Sequence, residues 1–198
     1  MDKYPSSVNV EMSKDAPGTD GFWTFLFIDM VVFQLIFFTF MSERARHVVQ
    51  YAASQTNLNE IFGLANTLIL ITSSWMVVKA VNASKMQASI LVSRYLGISF
   101  LLGFVFAVNK LIEYYLEFNA GFTPATNSFF SFYFFITLVH FLHVIAGMIA
   151  MAHFRRHALR RVGNLGYQTG LENVGLFWHL VDVLWIFIFP MLYLVGRS

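Results

Sequence analysis

The chain has 198 residues, of which 57% are hydrophobic and only 12% charged, with 23 Phe and a formal net charge of +2. Soluble domains carry roughly 25% charged residues, so this sequence lacks the polar surface that a water-soluble protein of its length needs. The small net charge excludes a nucleic-acid-binding surface, and the absence of cysteine excludes disulfides, iron–sulfur clusters and thiolate zinc sites.

Residues 1–20 contain Lys3, Glu11, Lys14, Asp15 and the pair Pro17-Gly18. They have no apolar run, so they read as a flexible tail and not as a signal peptide. A hydrocarbon core of about 30 Å takes about 20 mostly apolar residues per helix. Five stretches qualify, at residues 21–42, 61–81, 88–116, 128–154 and 171–195. Between them lie a polar segment with Gln55, Asn57 and Asn59, a short break at Asn82 to Gln87, the turn Gly121-Phe122-Thr123-Pro124, and the Arg- and Gly-rich segment from Arg155 to Gly170. The expected fold is all-α: one five-helix transmembrane bundle over residues 21–198, with successive helices antiparallel and no internal repeat.

With five spans, Lys3, Lys14, Lys79, Lys85, Arg94, Arg155, Arg156, Arg160 and Arg161 fall on the side of the N-terminus, and Arg44, Arg46, Lys110 and Arg197 on the other. The positive-inside rule then places the N-terminus in the cytoplasm and the C-terminus outside.

Polar residues inside the apolar spans carry the remaining information. At about 100° per residue, Glu172, Gly175, His179 and Asp182 share one arc of the fifth span, and His140, His143, Gly147 and Ala150 share a similar arc of the fourth. Ser99, Gly103 and Ala107 form a small-residue seam on the third, with Lys110 and Glu113 on the same face. Gly63, Asn66 and Ser73 lie on one side of the second, and Asp29 is the single carboxylate of the first, about two turns in from its cytoplasmic end. These faces are expected to meet in a shared polar interior, with His140, His143, Glu172, His179 and Asp182 as one hydrogen-bonded lattice between the fourth and fifth spans. Such residues in a bundle ordinarily satisfy one another, because an unpaired polar group in hydrocarbon costs several kcal/mol. Sharper alternatives stay open: a metal site from His140, His143, His179 and Asp182, a haem held by two of the histidines, or a proton relay. A transporter is disfavoured by the lack of repeats and of helices broken by Gly or Pro. Lys110 and Glu113 read as a snorkelling pair near a helix end. Asp29 is expected to be either neutral or paired with a histidine of the last two spans. Arg155, Arg156, Arg160 and Arg161 read as a topology determinant or an anionic-lipid headgroup contact.

These residues stand in an order that resembles subunit III of the haem-copper oxidases over nearly the whole chain. Glu172 followed by Phe177-Trp178-His179-Leu180-Val181-Asp182-Val183-Leu184-Trp185 is similar to the family's E…YWHFVDVVW signature. The run from Thr137 through His140 and His143 to Gly147 is similar to its H-x-L-H-V-x-x-G. Lys110-Leu111-Ile112-Glu113-Tyr114, Asn66-Thr67 and Ser73-Ser74 match further family positions, and Asp29 stands where the family most often has a buried Glu. Long family members have seven helices, divided by a lipid-filled cleft into a pair and a group of five; this chain looks like the five. The stretch from Arg44-Ala45-Arg46 to Leu64-Ala65-Asn66-Thr67-Leu68 looks closest to the NorE-like proteins of bacterial nitric oxide reductase clusters. The resemblance implies an accessory subunit that carries no haem, copper or other metal. Such a subunit binds structural phospholipid beside a catalytic subunit I, which holds the haem and copper, in a bacterial cytoplasmic membrane. Its implied role is to support assembly, proton uptake and turnover stability.

A reporter fused after Ser198 tests the topology: an extracytoplasmic reporter such as alkaline phosphatase is expected to be active there, and a cytoplasmic-only signal contradicts the charge argument.

Overall fold

The computed structural model describes residues 18–195, so most of the expected N-terminal tail lies outside the described residues. Six α-helices follow in order: α1 (Asp20–Arg46), α2 (Val48–Gln55), α3 (Glu60–Lys85), α4 (Ser89–Asn119), α5 (Ser128–Arg161) and α6 (Leu165–Phe189), the last running into a π-helical turn at Pro190–Leu194. All but α2 are long and apolar enough to cross a membrane, as the five hydrophobic stretches required.

Boundaries differ from the expected ones where hydrophobicity and helix formation part company. The segment between the first two spans was read as polar loop, yet it folds into α2, whose Tyr51 is buried against Phe40 and Phe129. The segment read as a connection between the last two spans is mostly helix. α5 continues to Arg161 and α6 begins at Leu165, so the chain reverses within three residues, one of them Gly163 at φ +100°. A helix that leaves the hydrocarbon keeps its intrahelical hydrogen bonds in water; only its side chains become polar. Asparagine caps three starts. Asn59 Oδ1 accepts from Ile61 N–H (3.0 Å), Asn127 Oδ1 from Phe130 N–H (3.0 Å) and Asn164 Oδ1 from Gly166 N–H (2.8 Å).

The last helix is the centre of the bundle. α6 packs on α3 and α5 and touches α1, whereas α1 adds only light contacts to α5 and α6. Most of α1 shows large apolar side chains outward, including Phe27, Leu35 and Phe38. Trp178 of α6 sets the spacing of its neighbours. A Cβ added at Gly147 of α5 would lie 2.5 Å from the Trp178 ring, and one at Gly103 of α4 would lie 3.1 Å from it. The indole N–H donates to Ser73 Oγ of α3 (3.2 Å). Ser73 and Ser99 meet with their hydroxyls 2.7 Å apart, which joins α3 to α4. The small-residue seam therefore works as expected, admitting one fully buried ring where helix backbones come close.

Gly147→Ala is expected to destabilise the fold by about 1–3 kcal/mol through overpacking. Thermal unfolding of the detergent-solubilised protein measures it, and Gly21→Ala, where an added Cβ meets nothing, is the control.

Candidate functional site

The most tightly knit polar group is one whose tyrosines the sequence reading did not reach. Lys110 and Glu113 of α4 are not a snorkelling pair at a helix end: they are 0% and 2% exposed. The face they share with Ser99 and Gly103 points inward along the whole helix, so the lysine stem runs into the bundle and not toward water. Lys110 Nζ donates to Glu113 Oε2 (3.0 Å), Tyr133 Oη of α5 (3.1 Å) and Tyr193 Oη of the C-terminal turn (2.9 Å), which uses all three of its protons. Both phenols in turn donate to Glu113 Oε1, at 2.9 Å from Tyr133 and 2.5 Å from Tyr193. Tyr114, Tyr133, Trp185 and Tyr193 surround the ammonium, with ring centroids 4.7–5.6 Å away. Tyrosine in a membrane span usually reads as an interface anchor. Here the i, i+3 spacing of Lys110 and Glu113 was visible in the sequence, but the two hydroxyls that complete the cage come from 23 and 83 residues away.

Beside the cage, the other family-motif positions also tie helices together. Asn109 donates to Asn66 Oδ1 (3.2 Å), Trp185 Nε1 donates to Thr67 Oγ1 (3.1 Å), and Tyr114 donates to Thr137 Oγ1 (2.8 Å). Gln55 of α2 donates to the carbonyls of Met191 and Leu192 (3.0 and 3.1 Å), clasping the C-terminal turn.

The five residues expected to form one lattice between the last two spans do not do so; each turns elsewhere. Glu172 pairs with Lys85 of α3 (3.1 Å). His179 Nδ1 lies 2.5 Å from Ser74 Oγ of α3, and Asp182 is largely buried on α6 with Oδ1 unpartnered among the described residues. His143 Nε2 lies 3.1 Å from Asp29 Oδ1 of α1. His140 is fully buried between the Phe106 and Trp185 rings, with neither ring nitrogen hydrogen-bonded among the described residues. The shared arcs were real, but a helix with three neighbours divides one polar face among them. Helical spacing shows which residues line up on a helix, not which neighbour each meets.

The Asp29–His143 contact has a definite proton count. His143 Nδ1 is 2.8 Å from the Val139 carbonyl, so that nitrogen carries a hydrogen and donates it. A hydrogen bond between Nε2 and Asp29 Oδ1 then needs one further proton, on the ring or on the carboxyl. Asp29 is thus paired with a histidine of the fourth span, one of the two arrangements expected for it.

The four arginines after Phe154 divide between two cavities. Arg155 and Arg156 stand at the head of a groove of about 410 Å³ between α4 and α5, lined by Ser93, Phe100, Ala152 and Leu159. Arg160 and Arg161, with His153, His157 and Tyr167, line a cavity of about 560 Å³ at the turn from α5 to α6. Among the described residues, no three His, Asp or Glu side chains converge as a metal site. A haem held by two of the histidines finds no facing pair either: His143 and His179 are bonded to α1 and α3, and His140 is enclosed by aromatic rings.

The fold and these contacts define a multi-pass membrane protein whose intramembrane polar groups hold helices to one another. Residues 17–197 match the family described as Cytochrome c oxidase subunit III. The chain belongs to that family, and so to the haem-copper oxidases, as the sequence resemblance implied. It is 32% identical over 180 residues to the cytochrome bo(3) ubiquinol oxidase subunit 3 of Buchnera aphidicola, covering 89% of this chain and 90% of that one. It is 31% identical to the subunit of the same name from Pseudomonas aeruginosa (89% and 84% covered) and 29% identical to a probable quinol oxidase subunit 3 of Staphylococcus aureus (89% and 88%). It is a multi-pass bacterial membrane protein and an accessory subunit associated with the catalytic subunit I.

The cage predicts a non-additive mutant pair. Lys110→Met leaves Glu113 buried without its counter-charge and is expected to cost about 3–5 kcal/mol, whereas Lys110→Met with Glu113→Leu removes both charges and recovers most of that loss. Monodisperse yield on detergent size-exclusion chromatography reads the difference, and a double variant no better than Lys110→Met alone contradicts the cage.

Proposed function

We propose that this chain is the non-catalytic subunit III of a quinol-oxidising haem-copper terminal oxidase in a bacterial inner membrane. It stabilises the catalytic subunit, helps retain structural phospholipid and supports proton uptake during turnover. The haem and copper sit in the partner subunit. The observation that carries this reading is the family match over residues 17–197, together with relatives whose names are those of quinol oxidase subunits. The polar residues support it: Lys110, Glu113, Asp29, His143, His179 and Glu172 are all engaged by other helices of the same chain. Arg155 and Arg156, above an apolar groove between α4 and α5, suit the phosphate of an anionic phospholipid whose acyl chain lies along Phe100 and Ala152. The N-terminus on the cytoplasmic side puts that headgroup in the cytoplasmic leaflet. The NorE-like reading rests on the stretch from Arg44 to Leu68 and differs only in the identity of the catalytic partner.

Affinity purification of the tagged chain from its own membranes tests the proposal. A larger catalytic subunit is expected to co-purify, with a Soret absorbance that follows the partner and is absent from the chain isolated alone. A quinol-oxidising, oxygen-consuming preparation supports the oxidase; nitric oxide reduction transfers the chain to the other complex. A Soret band in the isolated chain overturns the accessory role.

A further inference from the structure

One face of the bundle is unlike the rest at membrane depth. Between α3 and α6 a groove of about 190 Å³ runs inward from the Lys85–Glu172 ion pair, past Asn82, to His179. Seven residues separate Glu172 from His179, so the histidine sits about 10 Å deeper than the mouth at 1.5 Å per residue. Its Nδ1 is taken by Ser74 of α3. Its Nε2 makes no hydrogen bond among the described residues and, unlike the two nitrogens of His140, is not enclosed by them. The outward faces of α4 and α5 are different, showing Leu101, Phe104 and Leu111 on one and Phe135, Leu138 and Leu142 on the other. Those surfaces suit acyl chains.

An acyl chain laid over the α3–α6 groove would leave the His179 nitrogen in hydrocarbon without a partner, an arrangement that costs free energy whichever tautomer is present. A second copy of this chain would set one concave groove against another. What fits is a helix that crosses the groove, covers the apolar rim and brings one polar side chain to His179. The rim offers apolar side chains for such contact: Val78 is 38% exposed, and Val81 and Leu176 are half-buried along the groove.

Building on the proposed accessory role, we infer that the groove between α3 and α6 is the face that docks on the catalytic subunit, with a membrane-spanning helix of that subunit placing a hydrogen-bonding side chain against His179. The bond from Ser74 to Nδ1 orients the ring so that Nε2 faces the groove. The Lys85–Glu172 pair marks where the joint reaches the membrane surface.

Photo-crosslinking in native membranes tests this. A benzophenone amino acid is placed singly at Val78, Leu176, Leu101 or Leu138 of the tagged chain, co-expressed with its complex. Val78 and Leu176 are expected to give adducts with the catalytic subunit at least fivefold above those from Leu101 and Leu138. Catalytic-subunit adducts mainly from Leu101 or Leu138, a homodimer adduct from the rim, or rim adducts to lipid alone overturn the inference. A wild-type chain that brings down no catalytic subunit overturns the accessory role as well, which separates the two failures. A second arm compares His179→Gln, which keeps a donor and an acceptor, with His179→Leu, which keeps neither. Per folded chain, the Leu variant is expected to retain about tenfold less catalytic subunit and the Gln variant to stay within about threefold of wild type. Equal retention by all three removes His179 from the joint.

Discussion

A lysine inside a membrane protein must have every proton accepted and its charge balanced, and in this chain that requirement fixes how three segments meet. The Lys110 ammonium reaches Glu113 on its own helix, Tyr133 on α5 and Tyr193 beyond the end of α6. Removing water makes each of these contacts stronger and each missing one more costly. The geometry therefore tolerates little sliding of α4 against α5, and it holds the C-terminal turn against the core. Gln55 adds a second hold on that turn from α2, through two carbonyls that the π-helical geometry leaves open to a side-chain donor. The end of the bundle opposite the N-terminus is thus closed by polar contacts, while the middle is closed by packing around Trp178.

This division of labour explains how a chain with six histidines and several intramembrane acids fits an accessory role. In a redox subunit, histidines must face a common centre. Here His143 is drawn to α1, His179 to α3, and His140 stays among aromatic rings. Each contact joins two helices, and α6 packs against three of them, α1, α3 and α5. The result is a scaffold whose rigidity comes from within. A rigid scaffold is what a partner subunit needs if this one is to keep it assembled through repeated turnover.

Much of this was legible from the sequence. Five apolar stretches separated by turn signals gave the bundle, because the length a bilayer demands leaves few alternatives. The seam of Ser99, Gly103 and Ala107 and the inward face carrying Lys110 and Glu113 followed from helical periodicity. Pairing did not. Nothing in the sequence set Tyr133 and Tyr193 apart, since a tyrosine in a span ordinarily marks the membrane interface, and α2 looked like loop because eight residues containing Gln, Ser and Tyr carry no strong hydrophobic signal. The lattice drawn between the last two spans failed for a related reason: residues on one arc of a helix are neighbours in angle, yet with α1, α3 and α5 all packed around α6, adjacent turns meet different partners. The family motifs marked His179 as special without saying that its partner was Ser74 of α3.

The Asp29–His143 contact also bears on how the chain is made. The two residues are 114 positions apart, and at a synthesis rate of about 5–20 residues per second Asp29 precedes its partner histidine out of the ribosome by roughly 6–23 s. For that interval α1 carries a carboxyl group in hydrocarbon with no neighbour to meet it, a burden of about 2.5–3.5 kcal/mol on insertion scales if the group is charged at the helix centre. The surrounding residues, Phe25, Leu26, Phe27, Ile28 and Met30 to Phe33, are apolar enough to hold the helix in the membrane regardless. Arrival of α5 then does more than add a helix. It supplies the base with which Asp29 shares a proton, so the first element inserted is among the last to be locked in place.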